Sequence, residues 1–258
     1  MMIPKVINYC WFGGNKLPDE FQKYMASWRK YCPEYEIKKW DENNFDVYAN
    51  QYCREAYKAQ KWAFVSDYAR LWIIYNYGGV YLDTDVEVLK PLDSLVSAGV
   101  GFIGFQNTEE VTTGLGFAAA PGNSVVKAML DIYETRKFVL PDGNLNLVPC
   151  PAANTVALLD CGLKTGRQWS NTIQHLDGID VFPVNYFNPL NRDTGELCIS
   201  DNTFTVHRYA ATWIGKSDFK NIVKGFLPKW YLKRHTERIA RRDIEKIRQE
   251  VKGSWREK

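Results

Sequence analysis

No Cys-x-x-Cys pair occurs in the chain. Its six cysteines (Cys10, Cys32, Cys53, Cys150, Cys161, Cys198) are scattered. That spacing fits reduced thiols in a cytosolic protein better than a disulfide framework or a zinc site. Also missing is any run of about 18 apolar residues free of charge, so no segment is expected to span a membrane. The N-terminal MMIPKVINYCWFGG has proline at position four and reads as a strand, not as a signal peptide. There is no internal repeat and no low-complexity linker. A strong charge of one sign is absent too, since the formal net charge is only +3.

That small excess is unevenly placed. Residues 224–258 hold twelve Lys/Arg against five Asp/Glu, a net of +7, which leaves the preceding 223 residues at −4. A mildly acidic body with a basic tail argues against a nucleic-acid binder, whose basic surface would sit on the folded body. With 258 residues and 45% hydrophobic content, the chain can bury the core of one large domain.

The stretch from Trp62 to Glu87 organises the rest. Trp62 to Tyr77 is apolar or aromatic on nearly every helical face, the mark of a buried helix. Asp67 and Arg70 interrupt it, three apart and therefore neighbours on one face. Gly78-Gly79 ends the helix and turns the chain. Val80-Tyr81-Leu82 reads as a buried strand that delivers Asp83-Thr84-Asp85, with both carboxylates on one side by strand alternation. Ligands of open α/β sheets collect at such C-terminal strand ends.

Before this stretch, Ile3 to Cys10 reads as a strand ended by Trp11-Phe12-Gly13-Gly14. The glycine pair there suits either close approach to a ligand or an ordinary loop. A helix from about Asp19 carries Phe21, Tyr24, Met25 and Trp28 at helical spacing, and Tyr35 to Trp40 alternates like a strand. Beyond it, strands are expected at 100–106 and 115–120, a helix N-capped by Asn123, and a further helix over 152–163. Residues 178–213 read as short strands and turns. Strands alternating with helices predict an α/β fold with a mostly parallel sheet. From about Lys229 the tail reads as a basic amphipathic helix with Leu232, Ile239, Ala240, Ile244, Ile247 and Val251 on one face. It suits a membrane surface, a partner, or its own domain.

Two carboxylates side by side at the end of a buried strand repel unless a cation joins them, and oxygen ligands suit Mg²⁺ or Mn²⁺. Asp67 and Arg70 fit two readings: a structural ion pair, or groups facing the same cleft to bind hydroxyls or phosphate. His207, after the alternating Thr203 to Val206, either completes a metal site or sits satisfied among aromatics.

In order, Ile3-Pro4-Lys5-Val6-Ile7…Trp11-Phe12-Gly13-Gly14, Ser66-Asp67-x-x-Arg70, Gly78 to Asp85, and His207…Thr212-Trp213 resemble the glycosyltransferases with a sugar-binding region containing a DXD motif. These are relatives of yeast mannosyltransferases and of capsular polysaccharide synthesis enzymes. The resemblance implies a GT-A fold over residues 1–223, ahead of the helical tail 224–258. It implies a UDP- or GDP-sugar donor, a divalent metal (Mn²⁺ or Mg²⁺), and hexosyl transfer with retention to a glycan or lipid-linked glycan. The product would be a cell-surface polysaccharide, made in the cytoplasm or on the inner face of the membrane. By position, Asp83, Asp85 and His207 would hold the metal. Asp67 and Arg70 would hold the donor sugar. Trp11, Phe12, Gly13, Asp83, Thr212 and Trp213 would take the nucleotide and diphosphate. No catalytic nucleophile is assigned. Asn8 stands where many relatives have histidine, Thr212 where many have serine, and Cys150-Pro151 where Gly-Pro is common. Two other readings compete: a phosphatase using Asp83, disfavoured by Glu87 two residues after the second aspartate, and a non-catalytic nucleotide-sugar or carbohydrate-binding protein of the same fold.

Overall fold

In a computed structural model of the protein, residues 1–96, 98–209 and 228–254 are described. The chain begins as β1 (Val6–Cys10), α1 (Asp19–Tyr31), β2 (Glu36–Trp40), α2 (Gln51–Lys58), α3 (Trp62–Tyr77) and β3 (Gly79–Tyr81). Next come β4 (Val86–Val88), α4 (Asp93–Val96), β5 (Gly101–Phe105), β6 (Val111–Thr112), a 3₁₀ turn (Thr113–Leu115), β7 (Phe117–Ala119), α5 (Ser124–Thr135) and α6 (Cys150–Asp160). The rest is β8 (Gln174–Leu176), β9 (Ile179–Phe182), α7 (Val184–Phe187), β10 (Thr205–His207) and α8 (Lys229–Ser254).

The main sheet runs β2-β1-β3-β7-β5-β9-β8, with β6 beside β5. Following the pairings, β2, β1, β3, β5 and β9 point one way and β7, β6 and β8 the other. The expected α/β class and mainly same-direction sheet are observed. Residue alternation sends side chains to both faces: Val80 and Leu82 join Trp28 of α1, while Tyr81 joins the core under α3, α5 and α6. Helix α3 occupies the expected span, and its Phe64, Val65, Leu71, Ile73 and Ile74 are buried. Asn123 caps α5, its Oδ1 accepting from the amides of Val125 and Val126. Helix α6 starts two residues before the expected Ala152, because Pro151 fits the first helical turn, where its missing N–H costs no bond.

Two features place the site. Gly79 has φ +97, and a Cβ there would lie 2.7 Å from the Val6 carbonyl oxygen. Glycine therefore lets β3 begin directly against β1. At the other end, β3 stops at Tyr81, so Asp83-Thr84-Asp85 is not strand. This corrects the expectation that strand alternation aligns the two carboxylates. A turn does so, closed by the Val86 amide donating to the Asp83 carbonyl at 3.0 Å.

Helix α8 buries Leu232, Ala240, Ile244 and Ile247 against the domain, while Ile239 stays exposed. It packs on α5 and α6, and its Glu237 accepts from Thr108 at 3.0 Å. The apolar stripe of the tail is thus covered by the domain itself.

Candidate functional site

Strand β10 pairs antiparallel with β4 so that His207 stands opposite Val86, one residue beyond Asp85. That register carries the imidazole to the aspartates across more than a hundred residues of chain. His207 Nε2 lies 3.3 Å from Asp85 Oδ1 and 3.8 Å from Asp83 Oδ2. One ligand atom from each of the three residues falls within 4.8 Å of the others. All three side chains are partly accessible. Two carboxylate oxygens and one imidazole nitrogen fit a divalent cation such as Mn²⁺.

Behind Asp83 stands Arg70, nearly fully buried. Its Nη2 lies 3.1 Å from Asp67 Oδ1 and 3.2 Å from Asp83 Oδ1, and its guanidinium packs 5.0 Å from the Tyr81 ring centroid. The Tyr81 hydroxyl donates to Asp83 Oδ1 at 3.0 Å. Asp67 and Arg70 thus pair with each other, as the structural reading has it, and Arg70 also reaches Asp83. One buried guanidinium shared by two carboxylates offsets only one of their two charges.

The two acids titrate in opposite directions. Burial pushes Asp83 up, but Arg70, then His207 and Tyr81, outweigh it and hold its carboxyl below the usual range. For Asp67, burial wins over Arg70 and the carboxyl is raised. Burial pulls His207 down, but Asp85 and Asp83 hold it above its ordinary value.

Because the folded pKa of Asp67 is raised, its stabilising contribution is complete below the unfolded carboxylate value and is lost as pH rises through the folded one. Asp67→Asn mimics the protonated form and lacks that loss. The expected result is a urea midpoint difference, variant minus wild type, that grows between pH 4 and pH 7. A difference independent of pH would show that Asp67 does not carry the burial cost.

The wall opposite α3 comes from the 3₁₀ turn and the start of α6, which the sequence reading did not place. Arg70 Nη1 donates to Thr113 Oγ1 at 3.4 Å and meets Cys150 Sγ at 3.9 Å. Asn154 Nδ2 donates to the same Thr113 oxygen at 3.1 Å. Gly114 has open backbone geometry, but a Cβ on it would lie 2.8 Å from Asp83 Oδ2 and 3.3 Å from Arg70 Nη1. Gly114→Ala should therefore move the Asp83 carboxylate and, if the candidate group holds Mn²⁺, weaken that binding by about tenfold while the fold is retained. Equal Mn²⁺ affinity by calorimetry would mean that the carboxylate has room to shift. Thr113, Gly114 and Asn154 carried no local signal, because each reads as turn or helix filler until the sheet assembles, and Tyr81 was legible only as a buried strand residue within the motif.

Tyr209 closes the other side. Its φ is +51, its hydroxyl donates to Asn188 Oδ1 at 2.8 Å, and its ring centroid lies 4.3 Å from that of His207. Its backbone N–H donates to His207 Nδ1 at 3.2 Å. With Nδ1 accepting, the proton of the neutral ring sits on Nε2, the atom facing the aspartates. Ligation through Nε2 needs that proton moved to Nδ1 and the Tyr209 amide turned away.

The remaining assigned residues fall elsewhere. Trp11 Nε1 donates to the Asn15 carbonyl at 2.6 Å, and its ring lies edge-on to Phe21. With Tyr9, Asn15, Lys16, Leu17 and Lys39 it lines a cavity of about 190 Å³ that none of the aspartates enters. The Phe12 ring is buried against Phe45, which leaves only its backbone for a ligand. Gly13 has φ +89 and lies flat against Trp62, where a Cβ would come within 2.6 Å of the indole. Asn8, in place of the common histidine, is buried and accepts from Trp40 Nε1 at 2.8 Å. Thr212 and Trp213 lie outside the described residues.

Asp83, Asp85 and His207 beyond the end of β3, backed by the buried Arg70, form a group that could hold a divalent cation at the sheet edge where ligands of α/β folds collect. Residues 18–99 match the family described as "Glycosyltransferase sugar-binding region containing DXD motif". It is 30% identical over 106 residues to inositol phosphoceramide mannosyltransferase 1 of Schizosaccharomyces pombe, covering 37% of this chain and 32% of that protein. It is 30% identical over 115 residues to an uncharacterized glycosyltransferase of Acanthamoeba polyphaga mimivirus, covering 41% of this chain and 44% of that one. The chain thus matches less than half the length of these curated relatives. A solved structure described as PaToxG glycosyltransferase superposes with a TM-score of 0.49 at 17% identity, covering 61% of this chain and 69% of that chain.

Proposed function

We propose that the protein is a metal-dependent glycosyltransferase of GT-A type that moves a hexose from a nucleotide-sugar donor to a glycan or lipid-linked glycan. The observation that carries this reading is the convergence of Asp83, Asp85 and His207 directly over the buried Asp67–Arg70 pair. The matched sugar-binding region and the mannosyltransferase name of one relative support it.

Asp83, Asp85 and His207 would hold the cation, which when bound would offset the negative charge developing on the departing diphosphate. Asp67 would accept hydrogen bonds from hydroxyls of the donor sugar, and Arg70 would fix the position of Asp67 relative to Asp83. Both are held by packed neighbours rather than by loops, so the donor would be oriented before an acceptor hydroxyl arrives. Trp11, the backbone of Phe12 and Gly13, and Thr212 with Trp213 are proposed for the nucleotide and diphosphate. Retention of anomeric configuration, Mn²⁺ as the working ion, a UDP- or GDP-linked donor and a role in cell-surface polysaccharide synthesis at the inner membrane face belong to the same proposal. No helix among the described residues is long and apolar enough to cross a membrane.

The test is donor consumption across a panel of UDP- and GDP-hexoses with Mn²⁺, with Mg²⁺ and with chelator. One donor consumed only with metal, and released as free sugar or as glycoside, is the expected result. Metal-dependent nucleotide binding with no turnover against any glycan acceptor would instead identify a binding protein. No nucleotide binding at all would overturn the reading.

A further inference from the structure

We infer that the outward face of α8 is a docking surface for an anionic lipid bilayer. The apolar stripe of the helix is already spent on the domain, so docking does not use it. What remains outside is mostly positive charge. Among the described residues of α8, eight lysines and arginines are exposed against a single exposed acid, Glu245. The other acids face inward. Glu237 and Asp243 are buried, Glu237 accepting from Thr108, and Glu250 pairs with the buried Arg136. Folding therefore sorts a helix of mixed charge into an acidic side held by the protein and a basic side on which Lys229 and Arg241 pair with Glu196 and Glu109 while Lys233, Arg234, Arg238, Lys246 and Lys252 stay exposed. The helix has 26 residues and is about 39 Å long, so this face is extended rather than a point contact.

Aromatic and apolar groups accompany the charge. Trp230 and Tyr231 are 61% and 43% exposed at the start of the helix, where aromatic side chains suit the headgroup layer. Further along, Arg242 and Lys246 form one wall of an open groove of about 400 Å³, and Leu145, Leu147 and Val148 form the other. Asp243 also lines it and pairs with Arg242, which leaves Lys246 as the less compensated cation. Leu147 is 55% exposed. A groove cationic on one side and apolar on the other matches a phosphate headgroup and the first carbons of its chain. The loop that forms it leads within two residues to Cys150, which touches Arg70 at the candidate site. A lipid surface complements this face in both charge and polarity, whereas an acidic protein or a nucleic acid would leave Leu147 unmatched.

The experiment is co-sedimentation of the full chain with phosphatidylcholine vesicles, with and without phosphatidylglycerol. Retention is expected only with the anionic lipid and should fall steeply as salt rises to 0.5 M. Arg238→Glu with Lys246→Glu should weaken retention by at least about tenfold per reversed residue, and Leu147→Asp should weaken it further. The thermal midpoint of each variant, followed by circular dichroism, should stay at the wild-type value because all three positions are exposed. Should a variant fail to fold, the salt and lipid dependence of the wild type still decides. Absence of retention, equal retention on neutral vesicles, or unchanged retention of the folded variants would overturn the inference. So would binding to soluble polyglutamate as tight as to the vesicles, which would assign the face to acidic proteins.

Discussion

Arg70→Ala is expected to cost more stability than any other single change at the site, about 3–5 kcal/mol. The guanidinium is buried and stands within 3.2 Å of both Asp67 and Asp83. Removing it leaves two carboxylates near each other, that of Asp67 buried, without a cation. Both would then be driven toward protonation, so the variant should recover part of its lost stability as pH falls from 7 to 5. Wild type should show no such recovery from Asp83, whose carboxyl is held below its ordinary value; that contribution is lost as pH falls through the lowered folded value. Arg70→Lys should rescue only partly. One ammonium cannot supply the separate donors that reach Ser66, Thr113 and the two carboxylates. Urea unfolding at three pH values decides it. A loss below about 1 kcal/mol, the range of an exposed ion pair, would show that Arg70 is not the charge on which the site is built.

Asp85→Ala should act on binding without acting on the fold. Asp85 lies in the turn after β3 and is partly accessible, and its contact with His207 is 3.3 Å. Truncation removes one of the three proposed metal ligands, a change expected to weaken Mn²⁺-dependent nucleoside diphosphate binding by about 100-fold or more. The thermal midpoint without ligand should stay near that of wild type, while the upward shift produced by nucleoside diphosphate plus Mn²⁺ should vanish. A full-sized shift in the variant would remove Asp85 from the metal site. His207→Ala provides a graded comparison. Since Nδ1 of His207 accepts from the Tyr209 amide, ligation there requires a rearrangement, and its removal should weaken Mn²⁺ binding less than removal of Asp85.

Much of this architecture was legible along the chain. Helix α3 could be read to the residue because its apolar run is bounded by Lys61 and by Gly78-Gly79. The same glycine pair announced a strand start, and φ +97 at Gly79, with the Val6 carbonyl 2.7 Å from a built Cβ, gives the steric reason. Helix α2 was not read, since the eight residues Gln51–Lys58 give a weak period and its cap, Asn50, is an ordinary polar residue until its side chain meets the Cys53 amide.

Taken alone, the order of residues determined the local elements and the chemical types at the site: two acids after a buried strand, an acid and an arginine one turn apart on a buried helix, a histidine closing a short strand. These follow from periodicity, capping and the cost of burying charge, which are local properties of the chain. What only the tertiary structure decided is which of those groups meet. The β4–β10 register brings His207 to Asp85, the turn after Tyr81 aligns the carboxylates that strand alternation could not, and packing of α3 on β3 sets Arg70 between Asp67 and Asp83. The burial of the α8 stripe on α5 and α6 likewise left its basic side outward. Each of these is a contact between segments distant in sequence, and the free energy that selects it exists only when both surfaces leave water together.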